Sequence, residues 1–555
     1  MVSAQNPRVH RRTKVKRNRT ALAGTALLAV GAIALAGCAS GGDNGSGEEG
    51  GEASTGIVTV QSNEPQNPLL PAVTNEVGGG LVLQNIFAGL VYYEADGALA
   101  NDLAESIESE DNQTWTIKIK EGEKFSDDTP VTAESFVEAW QYAASDPAFE
   151  NQWWFANFSG YSADAVKEDS LALEVVDDTT FTVELAAPQS DFPTTLGYQV
   201  FAPLPESFFD DPEAFGQAPV GNGPYVLDKW EHDSVISLLP NESYDGPRKA
   251  QNGGVDLAMY ATAEAAYTDL LSDNLDVLNP GVPPTALATY KDDLGDRAVD
   301  QPAAIWEGLT IPARLAHFGN DEEGNLRRQA ISYAIDREEV TDVIFEGTRT
   351  PAVDYTSPVI AGWNDEIAGS EVTHADADKA KDLWAQADAI SPWSGTFTIA
   401  YNADGGHQAW VDAVSNQIKN TLGIDAAGQS FPDLATLREE IKNRTLNAAT
   451  RSGWQFDYPG AYNILGALFI TGAGSNDGDY SNPEYDELVQ KGSTAPSVEE
   501  GNKLFEQAQE VLFTDLPVLP LWYRSTNAGF STLVDNVEYG WDSWPIVYEI
   551  TKAGE

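Results

Sequence analysis

The stretch RSGWQFDYPGAYNILGALFITGAG, residues 451–474, places one carboxylate, Asp457, among the rings of Trp454, Phe456 and Tyr458. An acid surrounded by rings is costly to bury unless it has a partner. Asp-Tyr-Pro-Gly is good turn chemistry, so the carboxylate could simply bond to nearby backbone N–H groups. Alternatively, it faces a cavity walled by rings and pairs there with an ammonium group from outside. The second interpretation makes this stretch the candidate ligand site of the chain.

The chain is long and strongly acidic. Its 555 residues are too many for one hydrophobic core, which predicts two or three lobes. With 86 acidic and 32 basic residues, the formal net charge is −54 at pH 7. Nucleic acid binding requires a basic face, so we expect no nucleic acid partner. Solubility is the simplest explanation of the acidity, and a specific acidic binding surface is the alternative.

The N-terminal residues have the pattern of an export and anchoring segment. A basic region precedes the apolar run ALAGTALLAVGAIALA at residues 21–36, which is short for a membrane span. The run leads to the sequence LAGC, which ends at the only cysteine, Cys38, and resembles the lipobox of bacterial lipoproteins. We expect a signal peptide over residues 1–37, followed by a lipidated Cys38 and a flexible linker over residues 38–56. A simple signal peptide with a chance cysteine is the alternative.

Hydrophobic periodicity predicts helices and strands mixed along the whole chain. The predicted strands lie at residues 57–62, 115–120, 178–188, 396–406 and 515–524, with two more inside 221–241. The predicted helices lie at residues 81–91, 325–345, 407–422 and 481–492, with another that begins after Thr132. The glycines at 78–80 are predicted to form a turn. No repeat of 20–50 residues is present, and the pattern indicates an α/β protein with several sheets.

The sequence contains no recognisable catalytic constellation. Its five histidines form neither HExxH nor a close pair, and neither GxSxG nor the phosphate-binding GxxxxGK[ST] occurs. One cysteine allows neither a disulfide framework nor a cysteine-based zinc site. A secreted hydrolase with two distant carboxylates is the enzymatic alternative. We therefore expect a protein that binds rather than catalyses, without metal or cofactor.

The segment RSGWQFDY, residues 451–458, resembles the signature of the oligopeptide-binding proteins of bacterial ABC importers. These proteins belong to an extracellular solute-binding family that also takes dipeptides and nickel chelates. Six further blocks resemble the family in the same order: FAGLVYYEADGALANDLAESIE (87–108), WTIKIKEGEKFSDDTPVTAESFVEAW (115–140), GNGPYVLDKW (221–230), NLRRQAISYAIDREEV (325–340), YSNPEYDELV (480–489) and LPVLPLWYR (516–524). Because the blocks recur in order along nearly the whole chain, it is identified as a member of this family.

The resemblance implies an α/β fold like that of periplasmic binding proteins. Two discontinuous lobes would close like jaws on the ligand, and a third would pack at the side. Lobe I is expected from residues 57–88, 212–303 and 526–555. The side lobe II is expected from residues 89–211, and lobe III from residues 304–525.

The resemblance also implies how a ligand is held. A short peptide would bind in extended form, its main chain paired with protein strands and its side chains in roomy hydrated pockets. The two pairing strands are expected at TNEV, residues 74–77, and SGWQ, residues 452–455. The ligand contacts expected there are Asn75, Val77, Gly453 and Gln455.

Charged residues are carried over from the family residue by residue. Asp457 corresponds to the family aspartate that takes the α-ammonium of the peptide, and Arg451 to the arginine that meets the carboxylate of short peptides. His407 lies where oligopeptide-binding members carry a histidine with the same task, and Lys442 or Arg444 could serve longer peptides. The rings expected to line pockets are Trp454, Tyr458 and Trp410. For each basic residue, a solvated surface charge is the alternative.

The expected role is therefore that of a substrate-binding subunit. It would be a lipid-anchored monomer on the extracellular face of the cell membrane, in a Gram-positive bacterium, delivering short peptides to permease and ATPase subunits. The alternative is the same fold with a non-peptide solute: a nickel chelate, an oligosaccharide or an opine. Residues 303–318 lack the tyrosine cluster expected beside the ligand, which leaves peptide length and side-chain preference open.

Overall fold

Strands and helices are mixed along residues 55–163, 170–279 and 281–554, which the computed structural model describes. The strands are β1 Ile57–Ser62, β2 Val91–Tyr93, β3 Leu99–Asn101, β4 Ala104–Glu108, β5 Thr114–Ile119, β6 Leu173–Asp177, β7 Thr180–Glu184, β8 Tyr225–Glu231, β9 Val235–Pro240, β10 Gly254–Met259, β11 Ala298–Thr310, β12 Arg349–Pro351, β13 Thr396–Asn402, β14 Asp425–Phe431, β15 Ala449–Gln455, β16 Val518–Gly529, β17 Val534–Asp535 and β18 Thr551–Lys552. The helices are α1 Val77–Ile86, α2 Ala133–Ser145, α3 Phe192–Thr195, α4 Pro212–Phe215, α5 Ala263–Leu271, α6 Tyr290–Leu294, α7 Glu322–Tyr333, α8 Arg337–Val343, α9 Ala377–Ile390, α10 Gln408–Leu422, α11 Leu434–Lys442, α12 Tyr462–Phe469, α13 Pro483–Ser493 and α14 Val498–Asp515. The predicted signal peptide, Cys38 and most of the predicted linker lie outside the described residues.

The described residues form three larger sheets and two small two-stranded ones. One larger sheet has the order β1-β10-β9-β8, with β1 parallel to β10. A second has the order β4-β5-β7-β6 and is antiparallel throughout. The largest has the order β12-β16-β11-β15-β13-β14, in which β13 runs parallel to β14 and β15 and the other pairs are antiparallel.

Two apolar cores meet on the long paired strands β11 and β16. Val299 packs against the first core and lies opposite Ala528, which belongs to it. Further along the same strands, Trp306 and Trp522 belong to the second core. The register between the strands shifts after Pro302, so a bulge bends the pair where it passes from one core to the other.

The predicted boundaries between lobes I and III fall on these two strands, at 303/304 and 525/526. Residues Ala53–Glu555 form one compact unit. The assignment of residues to three lobes therefore stays a prediction.

Most of the predicted elements are confirmed. The strands at 57–62 and 115–120 are β1 and β5, and the pair inside 221–241 is β8 and β9. Thr132 is the N-cap of α2, where it forms a capping box with Ser135. Asn482 caps α13 by accepting the N–H of Glu484, with Pro483 in the first turn.

The predictions for residues 74–91 are wrong in three respects. The residues from 74 to 76 form no strand, the glycines at 78–80 belong to a helix, and that helix, α1, ends at Ile86. The physical reason is a carboxylate cap: Glu76 accepts the N–H of Gly79 at 3.0 and 3.1 Å. A Cβ on Gly79 would lie 2.5 Å from Oε1 of Glu76, so glycine permits this close approach.

The single helix predicted at residues 325–345 is also wrong, because the structure has two. Helix α7 ends at Tyr333, and α8 begins at Arg337. Asp336 caps α8 by accepting the N–H of Glu339 at 3.0 Å, and its own N–H donates to Gln417. A side chain that caps a helix requires a non-helical backbone at its own position, which explains the break.

Membrane-spanning helices and clustered metal ligands are both absent from the described residues. None of their helices combines the length and apolar character needed to cross a bilayer. No group of three or more metal-ligating side chains is found among them.

Candidate functional site

Strand β15 and the loop after it position Asp457. The strand pairs antiparallel with β11, with Gly453 opposite Glu307. The chain leaves the sheet at Phe456, whose N–H donates to the carbonyl of Ala304 at 3.0 Å. A tight turn follows, and α12 begins at Tyr462. Asp457 therefore lies just beyond the end of a central strand, on a short loop held at both ends.

Few groups bond to the Asp457 carboxylate. Nδ2 of Asn463 donates to Oδ2 at 3.1 Å, and the Asp457 N–H donates back to Oδ1 of Asn463 at 3.3 Å. The same Oδ1 accepts the indole N–H of Trp454 at 2.6 Å. No ion pair to Asp457 exists among the described residues. Burial raises the pKa of Asp457 to about 6, with Asn463 opposing the shift.

Asp457 lines a cavity of about 300 Å³ together with three other predicted contacts. Asn75 and Val77 contribute from the start of α1, and Gln455 from the end of β15. The aromatic residues of the wall are Phe87, Tyr92, Tyr93, Tyr198, Phe456, Trp541, Trp544 and Tyr548. The cavity thus joins a carboxylate without a cation to an aromatic wall, which suits an ammonium group.

Glycine at the start of α1 brings the backbone close to this cavity. A Cβ on Gly80 would lie 2.7 Å from the ring of Trp544, which lines the cavity. A Cβ on Gly78 would lie 2.6 Å from the carbonyl oxygen of Asn63. Gly80 therefore lets the helix pack against Trp544, where a side chain would force that ring out of the wall.

A second cavity, of about 230 Å³, is lined by Arg451, Gly453 and Trp454. Ser452 also lines it, and its hydroxyl is buried without a hydrogen-bond partner. The wall includes Arg438, which forms an ion pair with a neighbouring aspartate. Predicted residues of one strand, β15, are thus divided between two cavities.

Arg451 and His407 lie near each other beside β15. Nε of Arg451 donates to Oδ1 of Asn402 at 2.8 Å, and Arg451 has no ion pair among the described residues. Burial and the charge of Arg451 lower the pKa of His407 to about 4. Nδ1 of His407 accepts the indole N–H of Trp410 at 3.1 Å, so the neutral ring carries its proton on Nε2. His407 can therefore donate a hydrogen bond to an anion.

Two arginines that were not predicted complete this basic group. Arg349 lies opposite Arg524 in the pairing of β12 with β16. Arg349 forms an ion pair with Glu307 at 2.9 Å, whereas the exposed Arg524 has none among the described residues. Both arginines act on the pKa of His407. The alternation in LWYR, which puts Arg524 on the same face as Trp522, is the signal that could have found it.

The remaining predicted residues lie elsewhere. Tyr458 is buried in the first core, and its hydroxyl donates to Asp191 at 3.4 Å. Trp410 is buried against Trp522, with ring centroids 5.2 Å apart. Arg444 forms an ion pair with Asp479 at 2.8 Å. Lys442 is exposed and lines neither cavity.

The sequence model of a family described as bacterial extracellular solute-binding proteins, family 5, matches residues 98–476. The oligopeptide-binding protein OppA of Bacillus subtilis is 26% identical over 517 residues, covering 90% of this chain and 93% of the relative. The dipeptide-binding protein DppE of the same organism is 26% identical over 516 residues, covering 89% and 92%.

Solved structures share the fold. The murein tripeptide binding protein MppA of Escherichia coli superposes with a TM-score of 0.72 at 22% identity, covering 90% of this chain and 98% of that one. OppA of Haemophilus influenzae, solved in complex with RPPGFSPFR, gives a TM-score of 0.71 at 21% identity, covering 90% and 99%. These similarities confirm the predicted α/β fold of periplasmic-binding-protein type. They also agree with an extracellular solute-binding protein that is not an enzyme. The chain belongs to family 5 of the bacterial extracellular solute-binding proteins.

Proposed function

We propose that this protein captures short peptides in extended form, as the substrate-binding subunit of an ABC importer. The observation that carries the proposal is an open strand edge beside Asp457. Strand β13 pairs with β15 only at Ala449 and Thr450. From Arg451 to Gln455, no described strand pairs with that edge. A peptide main chain can add there as a further strand, by hydrogen bonds that do not depend on its side chains.

The charges beside this edge give the bound peptide a direction. Its α-ammonium would pair with Asp457, and its carboxylate would meet Arg451 and the Nε2–H of His407. Arg349 and Arg524 add positive charge behind them. Arg451 and Gln455 are separated by about 13 Å at the usual strand rise, the reach of about four extended residues. This supports tri- to pentapeptides as ligands.

The anchoring and delivery steps rest on the sequence and on the relatives. Cys38 would carry the lipid and hold the protein at the outer leaflet of a Gram-positive cell membrane. Bacillus subtilis, a Gram-positive bacterium, supplies two relatives named as oligopeptide- and dipeptide-binding proteins. Closure of the predicted jaws, stabilised by contacts made only in the closed state, would signal loading to the permease.

Thermal melting of residues 39–555 tests the proposal. Free tri- to pentapeptides at about 100 times their dissociation constant should stabilise the protein by roughly 2.7 kcal/mol. The same peptides N-acetylated should not, because acetylation removes the ammonium that pairs with Asp457. Asp457→Asn should lose the response to free peptides, and the exposed control Asp210→Asn should keep it. Absence of a response to any peptide would point to a non-peptide solute in the same fold.

A further inference from the structure

The cavity that contains Asp457 is lined by a second carboxylate without a cation, Asp542. Oδ1 of Asp542 accepts the N–H of Trp544 at 3.0 Å. No described residue forms an ion pair with this carboxylate. Burial raises the pKa of Asp542 to about 6, as it does that of Asp457. Two negative charges therefore face one cavity, and an α-ammonium group can neutralise only one of them.

No other described residue of the wall supplies the missing charge. Arg248 is the only basic residue of the wall. Its Nε donates to Asp102 at 2.8 Å, and its two Nη groups donate to the carbonyls of Gln84 and Phe87 at 2.8 and 2.9 Å. Each of its nitrogens is thus already bonded away from Asp542.

The other acids of the wall, Glu76 and Glu94, already have partners for their charge: backbone N–H groups in one case and water in the other. Glu76 caps α1 and also accepts the N–H of Gln66 at 3.1 Å. Glu94 is exposed at the surface, where water solvates its charge. Besides Asp457, Asp542 is the acid of this wall that is half-buried and whose carboxylate accepts no more than one backbone N–H from the described residues.

The rings near Asp542 also suit a cation. Trp541 and Tyr93, which both line the cavity, contact edge to face with centroids 5.4 Å apart. Trp544, two residues after Asp542 in the sequence, also lines the cavity. Aromatic faces attract an ammonium or guanidinium group, most strongly where water is excluded. An aliphatic stem ending in a positive charge fits such walls better than a neutral polar group.

We propose that Asp542 makes the site selective for peptides whose first residue has a basic side chain. This inference rests on the proposed function, since it assumes that the amino end of a peptide lies at Asp457. The α-ammonium and the side chain of the first residue leave the same carbon atom, so both can enter one cavity. Asp457 then pairs with the α-ammonium, and Asp542 pairs with the side-chain cation.

Titration calorimetry with two matched peptides tests the inference. Lys-Ala-Ala and norleucine-Ala-Ala have side chains of similar length, and only the first carries an ammonium group there. The native protein should bind the lysyl peptide about tenfold more tightly or better, since a close charge pair in a desolvated site discriminates strongly. Asp542→Asn keeps an oxygen for the Trp544 N–H, and the ratio of the two affinities should fall to near one. The exposed control Asp210→Asn should keep the native ratio.

The outcomes separate this inference from the proposed function. If the native protein binds both peptides equally, or if Asp542→Asn keeps the full preference, the selectivity of Asp542 is refuted while peptide capture stands. If neither peptide binds, peptide capture itself fails. The comparison within the native protein needs no variant, so poor folding of Asp542→Asn would not prevent a decision.

Discussion

Asp102 is fully buried and Asp457 is half-buried, and the groups that surround the two carboxylates differ. The Asp102 carboxylate accepts hydrogen bonds from the hydroxyl of Tyr244 and from Nε of Arg248, each at 2.8 Å. The Asp457 carboxylate accepts one hydrogen bond, from the side-chain amide of Asn463. The first carboxylate is neutralised within the fold, whereas the second keeps an unmet charge. A buried acid whose partner is inside the chain stabilises the fold, and one whose partner is missing marks a place for a ligand.

The largest effect is expected from breaking the internal pair. Asp102→Asn should lower the free energy of unfolding by about 3–5 kcal/mol, because it leaves the Arg248 guanidinium buried without its counter-charge. Urea denaturation followed by circular dichroism measures this loss. Glu105→Gln, which removes the exposed ion pair with Lys118, is the control and should leave the free energy of unfolding nearly unchanged, because water and salt screen this pair. Equal losses in the two variants would contradict the distinction drawn for Asp102.

A smaller effect, on peptide affinity, is expected when low pH protonates the Asp457 carboxylate of the native protein. Its raised pKa of about 6 means that the carboxylate gains a proton as the pH falls through that value. Only the ionised form pairs with an ammonium group, so peptide affinity should fall about tenfold between pH 7.5 and pH 5. Titration calorimetry at the two pH values, with a peptide that has no ionisable side chain, measures the change. A constant affinity would show that Asp457 is not the amino anchor.

The smallest effect is expected on the empty protein. Asp457→Asn removes an uncompensated charge, so the ligand-free variant should be more stable at pH 7.5 by about 1 kcal/mol. The sign follows from the raised pKa: the native carboxylate destabilises the fold increasingly as the pH rises from about 4 to above 6, and it costs nothing below about pH 3, where it is neutral in both states. The gain should therefore disappear at low pH. Urea denaturation of the native protein and the variant, at pH 7.5 and at about pH 3, measures this gain in stability. If the variant were less stable than the native protein at pH 7.5, Asp457 would be shown to stabilise the fold.

The local parts of this architecture could be predicted from the sequence. Alternation identified β1 and β5, and capping chemistry identified the starts of α2 and α13. These signals lie within a few residues of the elements that they specify. Asp457 could be singled out for the same reason, because its rings are its neighbours in sequence.

The parts formed by distant segments could not be predicted in this way. Arg349 and Arg524 meet only through the pairing of β12 with β16, and Asp542 reaches the cavity from a loop far beyond β15. Nothing near Arg349 or Asp542 in the sequence distinguishes them from solvated charges, and for Arg524 the alternation in LWYR is the local signal. The start of α1 was missed because its cap is a glutamate beside glycines, a combination that ordinarily indicates a loop.

The pairing of β1 has a consequence for the order in which the chain folds. Ile57 lies opposite Gly254 in β10, and the N–H of Gly56 donates to the carbonyl of Lys552 in β18 at 3.1 Å. The first strand of the described residues thus waits for neighbours that are synthesised much later. Such distant partners slow folding and leave the sheet incomplete while synthesis continues. The sheet that contains β1 cannot be completed until β10 has been made, at Gly254–Met259, which suits a polypeptide that must be threaded through a narrow channel before it folds.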